Sequence, residues 1–187
     1  MRFLIIFEEQ LKDYINNEPY LIEDLKLVSE LNLPDCYIAA GYIRSMVWDR
    51  LQGLESRGKH SDIDVVFFDP TNLSEARDHA IEAELIARTG NEKWSVKNQA
   101  RMHIQNGDAP YQNTTDAISY WPETATAIGV RLDPDNEIEI IAPYGLDDLF
   151  QMVVRRAPLF LDKAYYMRRV AGKNWKNQWS GIKIIEE

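Results

Sequence analysis

Cysteine is almost absent from this chain. Cys36 is the one thiol in 187 residues, so no internal disulfide framework can form, and the usage fits a reducing compartment. Standing just ahead of an apolar stretch, Cys36 reads as core packing. Long apolar runs are missing too. No segment approaches the roughly 20 consecutive apolar residues of a membrane-spanning helix. The opening Met1-Arg2-Phe3-Leu4-Ile5-Ile6-Phe7 resembles the start of a secretion signal, but Glu8 and Glu9 interrupt it and no small-residue cleavage site follows. A cytoplasmic protein with no membrane partner is the expectation. Positive charge is scarce: 21 Lys and Arg stand against 30 Asp and Glu, a net charge of −9. A protein that grips long nucleic acid needs a basic face that releases counterions. The one basic concentration (Lys163, Arg168, Arg169, Lys173, Lys176) has the spacing of an exposed helix face, so long nucleic acid is not the expected partner. Histidine numbers three, and no Gly-x-Ser-x-Gly elbow occurs, which argues against a Ser/His/Asp hydrolase. No repeat, low-complexity tract or linker divides the chain, so residues 1–187 are expected to form a single domain.

What is present is ordinary globular material, 45% hydrophobic and 27% charged. Its centre is Ser61-Asp62-Ile63-Asp64-Val65-Val66-Phe67-Phe68-Asp69. As a strand, its period of two puts Asp62, Asp64, Val66 and Phe68 on one face. Val66 and Phe68 favour burial, which sets both carboxylates on an inward face where the strand leaves the core. Two like charges about 7 Å apart along a strand repel. A divalent cation relieves that repulsion, and hard oxygen ligands suit Mg²⁺. A solvated strand end is the other reading of the same residues.

Upstream, Leu11, Tyr14, Ile15, Leu21, Leu25 and Val28 keep helical spacing over 6–31, with a break at Asn16-Asn17-Glu18-Pro19. Residues 36–40 read as a short buried strand closed by Gly41, and Ile43, Met46, Val47, Leu51 and Leu54 mark one helix face after it. A strand, a glycine turn and a helix let phosphate approach free backbone N–H groups at the positive end of the helix dipole. Arg44 and Ser45 fall in the first turn, within reach of such a phosphate; pairing of Arg44 with a surface acid is the plainer alternative. Downstream, Asn72-Leu73-Ser74-Glu75 resembles a capped helix start, and the helix should run to Arg88 and end at Gly90. Lys93–Val96 is a third strand. The polar run Lys97–His103 lacks a helical apolar stripe, so Lys97 and Arg101 either hold phosphates or line a solvated edge. A short helix should follow Thr114-Thr115. Thr126–Leu132 and Glu137–Ala142 flank Asp133-Pro134-Asp135-Asn136 as a hairpin. In its second strand Glu139 is a third metal ligand, a general base, or an exposed acid. Leu146–Val154 and Phe160–Ala171 complete a helical C-terminal extension over 146–187.

These residues together resemble the nucleotidyltransferase superfamily, whose minimal site is a glycine turn, an Asp-x-Asp strand and a third carboxylate. More closely, the chain is similar to a small bacterial nucleotidyltransferase-like family. The matching segments are Ala39-Ala40-Gly41-Tyr42-Ile43-Arg44, Val47-Trp48-Asp49, Ser61-Asp62-Ile63-Asp64, Lys97–His103, Trp121-Pro122-Glu123-Thr124-Ala125, Gly129-Val130-Arg131 and Ala142–Phe150. The resemblance implies an α+β fold, a mixed sheet flanked by helices. It implies two Mg²⁺ ions on Asp62, Asp64 and Glu139, with Gly41, Arg44, Ser45, Lys97 and Arg101 around an NTP. The reaction implied is transfer of a nucleotidyl group to an acceptor hydroxyl, on a small molecule or a protein. The alternative is a domain of the same fold that binds nucleotide or a protein partner without chemistry. Two departures stand out: Tyr42 follows Gly41 where the superfamily has Gly or Ser, and the interval from Gly41 to Asp62 is long.

Overall fold

The computed structural model describes residues 2–55 and 62–186, with no side-chain detail for 2–5. Ser61, the first residue of the central stretch, lies outside the described residues. Two helices open the chain, α1 (Arg2–Asn16) and α2 (Pro19–Ser29). Pro19 occupies the start of α2, where its missing N–H costs nothing, so the break falls where the sequence places it. Strand β1 (Tyr37–Ala39) leads directly into α3 (Gly41–Leu51), and β2 (Ile63–Phe67) follows. Helix α4 (Glu75–Thr89) ends on Gly90 in the left-handed conformation, φ 69°, which a residue without Cβ adopts freely. It returns the chain to β3 (Trp94–Asn98), two residues longer at its C-terminal end than expected. A 3-10 turn (Gln99–Arg101), α5 (Met102–Asn106) and α6 (Thr114–Ser119) come next. The hairpin forms from β4 (Gly129–Leu132) and β5 (Ile138–Ile141). Asp133 Oδ1 holds its turn by accepting from the N–H groups of Asp135 and Glu137.

The expected helix over Leu146–Val154 is only α7 (Asp147–Phe150). The chain then turns through Met152, φ 54°, into β6 (Val153–Val154). Helices α8 (Lys163–Lys173) and α9 (Trp175–Gln178) precede β7 (Lys183–Ile184), which pairs in parallel with β6. That parallel pair carries no alternation long enough to mark it in the sequence.

The five-stranded sheet has the order β3-β2-β1-β4-β5, parallel between β2 and β3 and antiparallel elsewhere. One face carries Ile38, Ile63, Val65, Phe67, Val96 and Val130 into the main core beneath α1–α4 and the C-terminal helices. Trp48 of α3 meets the rings of Trp175 and Trp179 edge-on at 6.1 and 5.2 Å. The Trp179 indole donates to the buried Asp49 at 2.7 Å. The opposite face carries Tyr37, Ala39 and Val66, a small second cluster against Trp121 and Ile141.

This division corrects the expected orientation of the central strand. Asp64 and Val66 do share a face, but it is the one turned away from the main core. Val66 is buried there by Tyr37 and Ala39 rather than by the helices. Period two fixes which residues go together; it does not say which side is deeper.

Candidate functional site

The cross-strand row through Ala39 sets the geometry. Reading across the sheet, Ser95, Asp64, Ala39, Gly129 and Ile141 lie in register. Above the β3-β2 end of that row opens a cleft of about 1100 Å³ lined by Asp62, Asp64, Ser95 and Lys97, among others. Asp62 sits one residue before β2 with its side chain 83% exposed and its carboxylate 3.8 Å from Lys93 Nζ. Asp64, half-buried beside it, is hydrogen-bonded to none of the described cations. Its carboxyl is held above the usual range, first by burial and then by the charge of Asp62; Lys173, Arg169 and Arg44 pull in the other direction. Loss of water around a carboxylate and a like charge next to it both penalise ionisation. An acid in this state gains from any cation that enters the cleft.

The turn before α3 forms the next wall. Its unusual residue is Ala40, with φ 61° and ψ −129°, a backbone conformation dominated by glycine. Gly41 is the first residue of the helix, and its φ is not positive. The tight turn therefore lies one residue earlier than the sequence reading placed it. Ala40 and Gly41 are then the two small residues of the turn. Tyr42, which looked like an intrusion, points into the core at 1% exposure and donates its hydroxyl to Asp24. Ala40, Gly41, Arg44 and Ser45 all line the cleft. The Arg44 guanidinium lies over the rings of Trp48 and Trp175, 5.1 and 4.9 Å from their centroids, and donates to Ser45 Oγ at 3.1 Å. Such stacking fixes the orientation of a cation by desolvation and attraction to the π face.

Helix α8 supplies a wall that the sequence reading missed. Arg169 and Lys173 line the cleft and act electrostatically on Asp64. Arg169 also bonds to Glu123, Nε to Oε1 at 2.6 Å. The basic stretch around Arg168 was legible as a helix face, but what that face looks onto is decided by tertiary packing. A signal was available: it is the single basic concentration in an acidic chain.

Two expected residues are not brought to this cleft. Glu139 stands on edge strand β5 opposite Arg131. It accepts from Arg131 Nε at 2.8 Å and from the Tyr37 hydroxyl at 3.3 Å. It is three strands from β2, about 14 Å at ordinary strand spacing, and in a different cross-strand row. Arg101 is 9% exposed and turned inward to a buried ion pair with Asp78, itself 0% exposed. Asn98, in the same polar run, is likewise structural. Fully buried, it accepts from the N–H groups of Asp69 and Ala100 and donates to the carbonyls of Asp69 and Asn72. Of the expected phosphate-binding residues, Gly41, Arg44, Ser45 and Lys97 meet at the cleft and Arg101 does not.

Among the described residues no cluster of three or more His, Cys, Asp and Glu side chains forms a metal cage. The donor chemistry that is present, two adjacent carboxylates at an open cleft, still fits Mg²⁺. That ion keeps several waters and typically takes one or two protein carboxylates together with substrate phosphates. Among the described residues no helix is long and apolar enough to cross a membrane.

Comparison with known proteins agrees with this architecture. No curated protein matches the chain. An NMR structure described as revealing a CCA-adding enzyme head domain is 31% identical, covers 95% of each chain and superposes with a TM-score of 0.86. A CCA-adding enzyme in complex with CTP is 17% identical over 95% of this chain and 43% of its own, TM-score 0.57. The Thermotoga maritima CCA-adding enzyme complexed with tRNA is 17% identical over 89% of this chain and 38% of its own, TM-score 0.51. This chain thus spans under half the length of those two enzymes, and at that identity they speak to the fold alone. The sequence model of the nucleotidyltransferase family matches residues 26–184, which takes in every wall of the cleft: the chain belongs to the nucleotidyltransferase family.

Proposed function

We propose that the protein transfers a nucleotidyl group from an NTP to an acceptor hydroxyl in a Mg²⁺-dependent reaction. One observation carries this reading: Asp62 and Asp64 face, across a single cleft, cations from α3 and α8. Carboxylates alone would repel a triphosphate, and cations alone would bind it without directing a metal. Their juxtaposition suits a metal–triphosphate complex. Asp62 and Asp64 hold the Mg²⁺ side of that complex; Gly41, Arg44, Ser45 and Lys97 receive the phosphates, joined by Arg169 and Lys173. Mg²⁺ bound there supplies neutralisation of the charge that accumulates on the phosphate oxygens. The acceptor oxygen forms a bond to the α-phosphorus, the bond from that phosphorus to the bridging oxygen breaks, pyrophosphate departs and the hydroxyl proton is released to solvent.

Solved enzymes of this fold hold CTP in one case and tRNA in another. An RNA end therefore joins small molecules and proteins among the acceptors to be tested. A second reading, nucleotide binding without transfer, draws support from the lack, among the described residues, of a third His, Cys, Asp or Glu clustered with Asp62 and Asp64. A ¹⁵N NMR titration with each NTP, with and without Mg²⁺, tests the site in wild type and in the Asp62→Asn/Asp64→Asn variant. Mg²⁺-dependent shifts at Gly41–Ser45 and Asp62–Asp64 that vanish in the variant are expected. No shift with any NTP at millimolar concentration would exclude a nucleotide site. Shifts without pyrophosphate release across a panel of acceptors would favour the second reading.

A further inference from the structure

Glu123 is a deeply buried acid behind the cleft wall, 1% exposed, and neither the sequence reading nor the proposed chemistry gives it a part. Its Oε1 accepts from Arg169 Nε at 2.6 Å, and its Oε2 accepts from Thr126 Oγ1 at 2.9 Å. Both partners line the cleft. Glu123 is itself held from two sides. Its carbonyl accepts from the N–H groups of Thr126 and Ala127, and its backbone bridges to Arg156 in the segment that leads into α8. Flanking it, the N–H of Thr124 donates to the Arg155 carbonyl and the N–H of Ala157 to the Pro122 carbonyl. The carboxylate is thus fixed to the same stretch of backbone from which α8 springs.

A purely structural account of this pair is incomplete. A buried ion pair contributes little net stability compared with apolar packing of the same volume, yet this one leads directly to the wall of the cleft. Arginine loses side-chain rotamer entropy when it is immobilised. A buried carboxylate that holds Nε meets that cost on folding, before any ligand arrives. Preorganised cations bind anions more tightly than mobile ones because less ordering is left for the binding step.

We propose that Glu123 is a positioning residue, which holds the Arg169 guanidinium in the cleft so that it meets the triphosphate of the incoming nucleotide. This inference rests on the nucleotidyltransferase reading of the site. It differs from it in predicting that Glu123, which touches no ligand, acts only through Arg169.

A double-mutant cycle tests it. The Kd of Mg²⁺-ATP, Mg²⁺-CTP, Mg²⁺-GTP and Mg²⁺-UTP is measured by intrinsic tryptophan fluorescence, since Trp175 and Trp179 line the cleft. The proteins are wild type, Glu123→Gln, Arg169→Gln and the double variant, each checked for folding by its thermal transition. Glu123→Gln is expected to weaken binding about 5–10-fold, a loss of about 1–1.4 kcal/mol. In the Arg169→Gln background the same change should have no further effect. Should Glu123→Gln fail to fold, Arg169→Lys serves instead: it keeps the charge, loses the fixed Nε contact, and should show a similar loss. Wild-type binding combined with additive losses, or with full affinity in both Glu123→Gln and Arg169→Lys, would overturn the inference alone. Failure of the wild type to bind any NTP would overturn the nucleotide reading and this inference with it.

Discussion

The open face of the sheet carries acids at both ends, and the two ends are built differently. At the β4-β5 end, Glu139 is bonded to Arg131 and Tyr37, so its charge is matched within the fold. At the β2-β3 end, Asp64 is left beside a second carboxylate, with cations near but not bonded to it. Both acids obey the same period-two pattern and are alike in sequence. The difference lies in what the fold withholds from each acid. A carboxylate with its partner in place is finished; one whose charge is left uncompensated in a cleft is ready for an external cation.

The sharpest way to break this comparison is to remove each acid in turn. Asp64→Asn should lower nucleotidyl transfer by at least about 10²-fold, the scale of losing one electrostatic group from an active site. Glu139→Gln should leave turnover within about 3-fold, as substitutions outside the reacting centre do. Pyrophosphate release in the presence of Mg²⁺ and NTP measures both. Equal losses would show that the β4-β5 end takes part in the chemistry after all.

Arg101 extends the comparison to cations. Arg101→Met leaves Asp78 buried and uncompensated, which should destabilise the fold by about 3–5 kcal/mol. The folded fraction should bind NTP as wild type does, because Arg101 does not face the cleft. Chemical denaturation together with ligand titration separates the two effects. An unchanged midpoint with weakened binding would place Arg101 in the site.

A smaller effect sharpens the contrast by its sign. Asp64 has a raised carboxyl pKa in the folded state. Its contribution to stability is present when it is protonated and is lost as pH rises through the folded value. At pH 7 without metal, Asp64→Asn should therefore raise the melting temperature. That gain should disappear as pH falls below the ordinary carboxylate value near 3.9. Glu139→Gln should instead lower stability at pH 7, by less than about 1 kcal/mol for a half-exposed ion pair. Calorimetry across pH distinguishes the two, and a melting temperature lowered by Asp64→Asn would remove the basis for the contrast.

Much of this architecture is legible in the sequence, for local reasons. The β1-turn-α3 unit, the Asp62–Asp64 strand and the β4-β5 hairpin each announce themselves through period two, period 3.6 or turn chemistry. What stays hidden depends on relations between distant segments. Period two groups Asp62, Asp64 and Val66, but the deeper face is chosen by helices whose packing the strand does not encode. Alternation groups Glu139 with Glu137, yet only strand order and register reveal that Glu139 lies three strands from Asp64 and in a different row. The run from Lys97 to His103 has no apolar stripe because its interior is a hydrogen-bonded polar network around Asn98, and polar burial has no period. Ala40 hides in a different way, since nothing in an alanine's identity signals a positive φ.

The α8 wall has a consequence for how the site comes into being. Asp62 and Asp64 are synthesised long before Arg169 and Lys173. Until α8 docks through Tyr166 and Val170, and Trp175 closes over Arg44, the two acids stand without the basic wall that later faces them. The cleft with both of its charged walls is thus completed only by the packed C-terminal helices. The packing of the C-terminal tryptophans against α3 and the meeting of acids and cations at one cleft therefore go together.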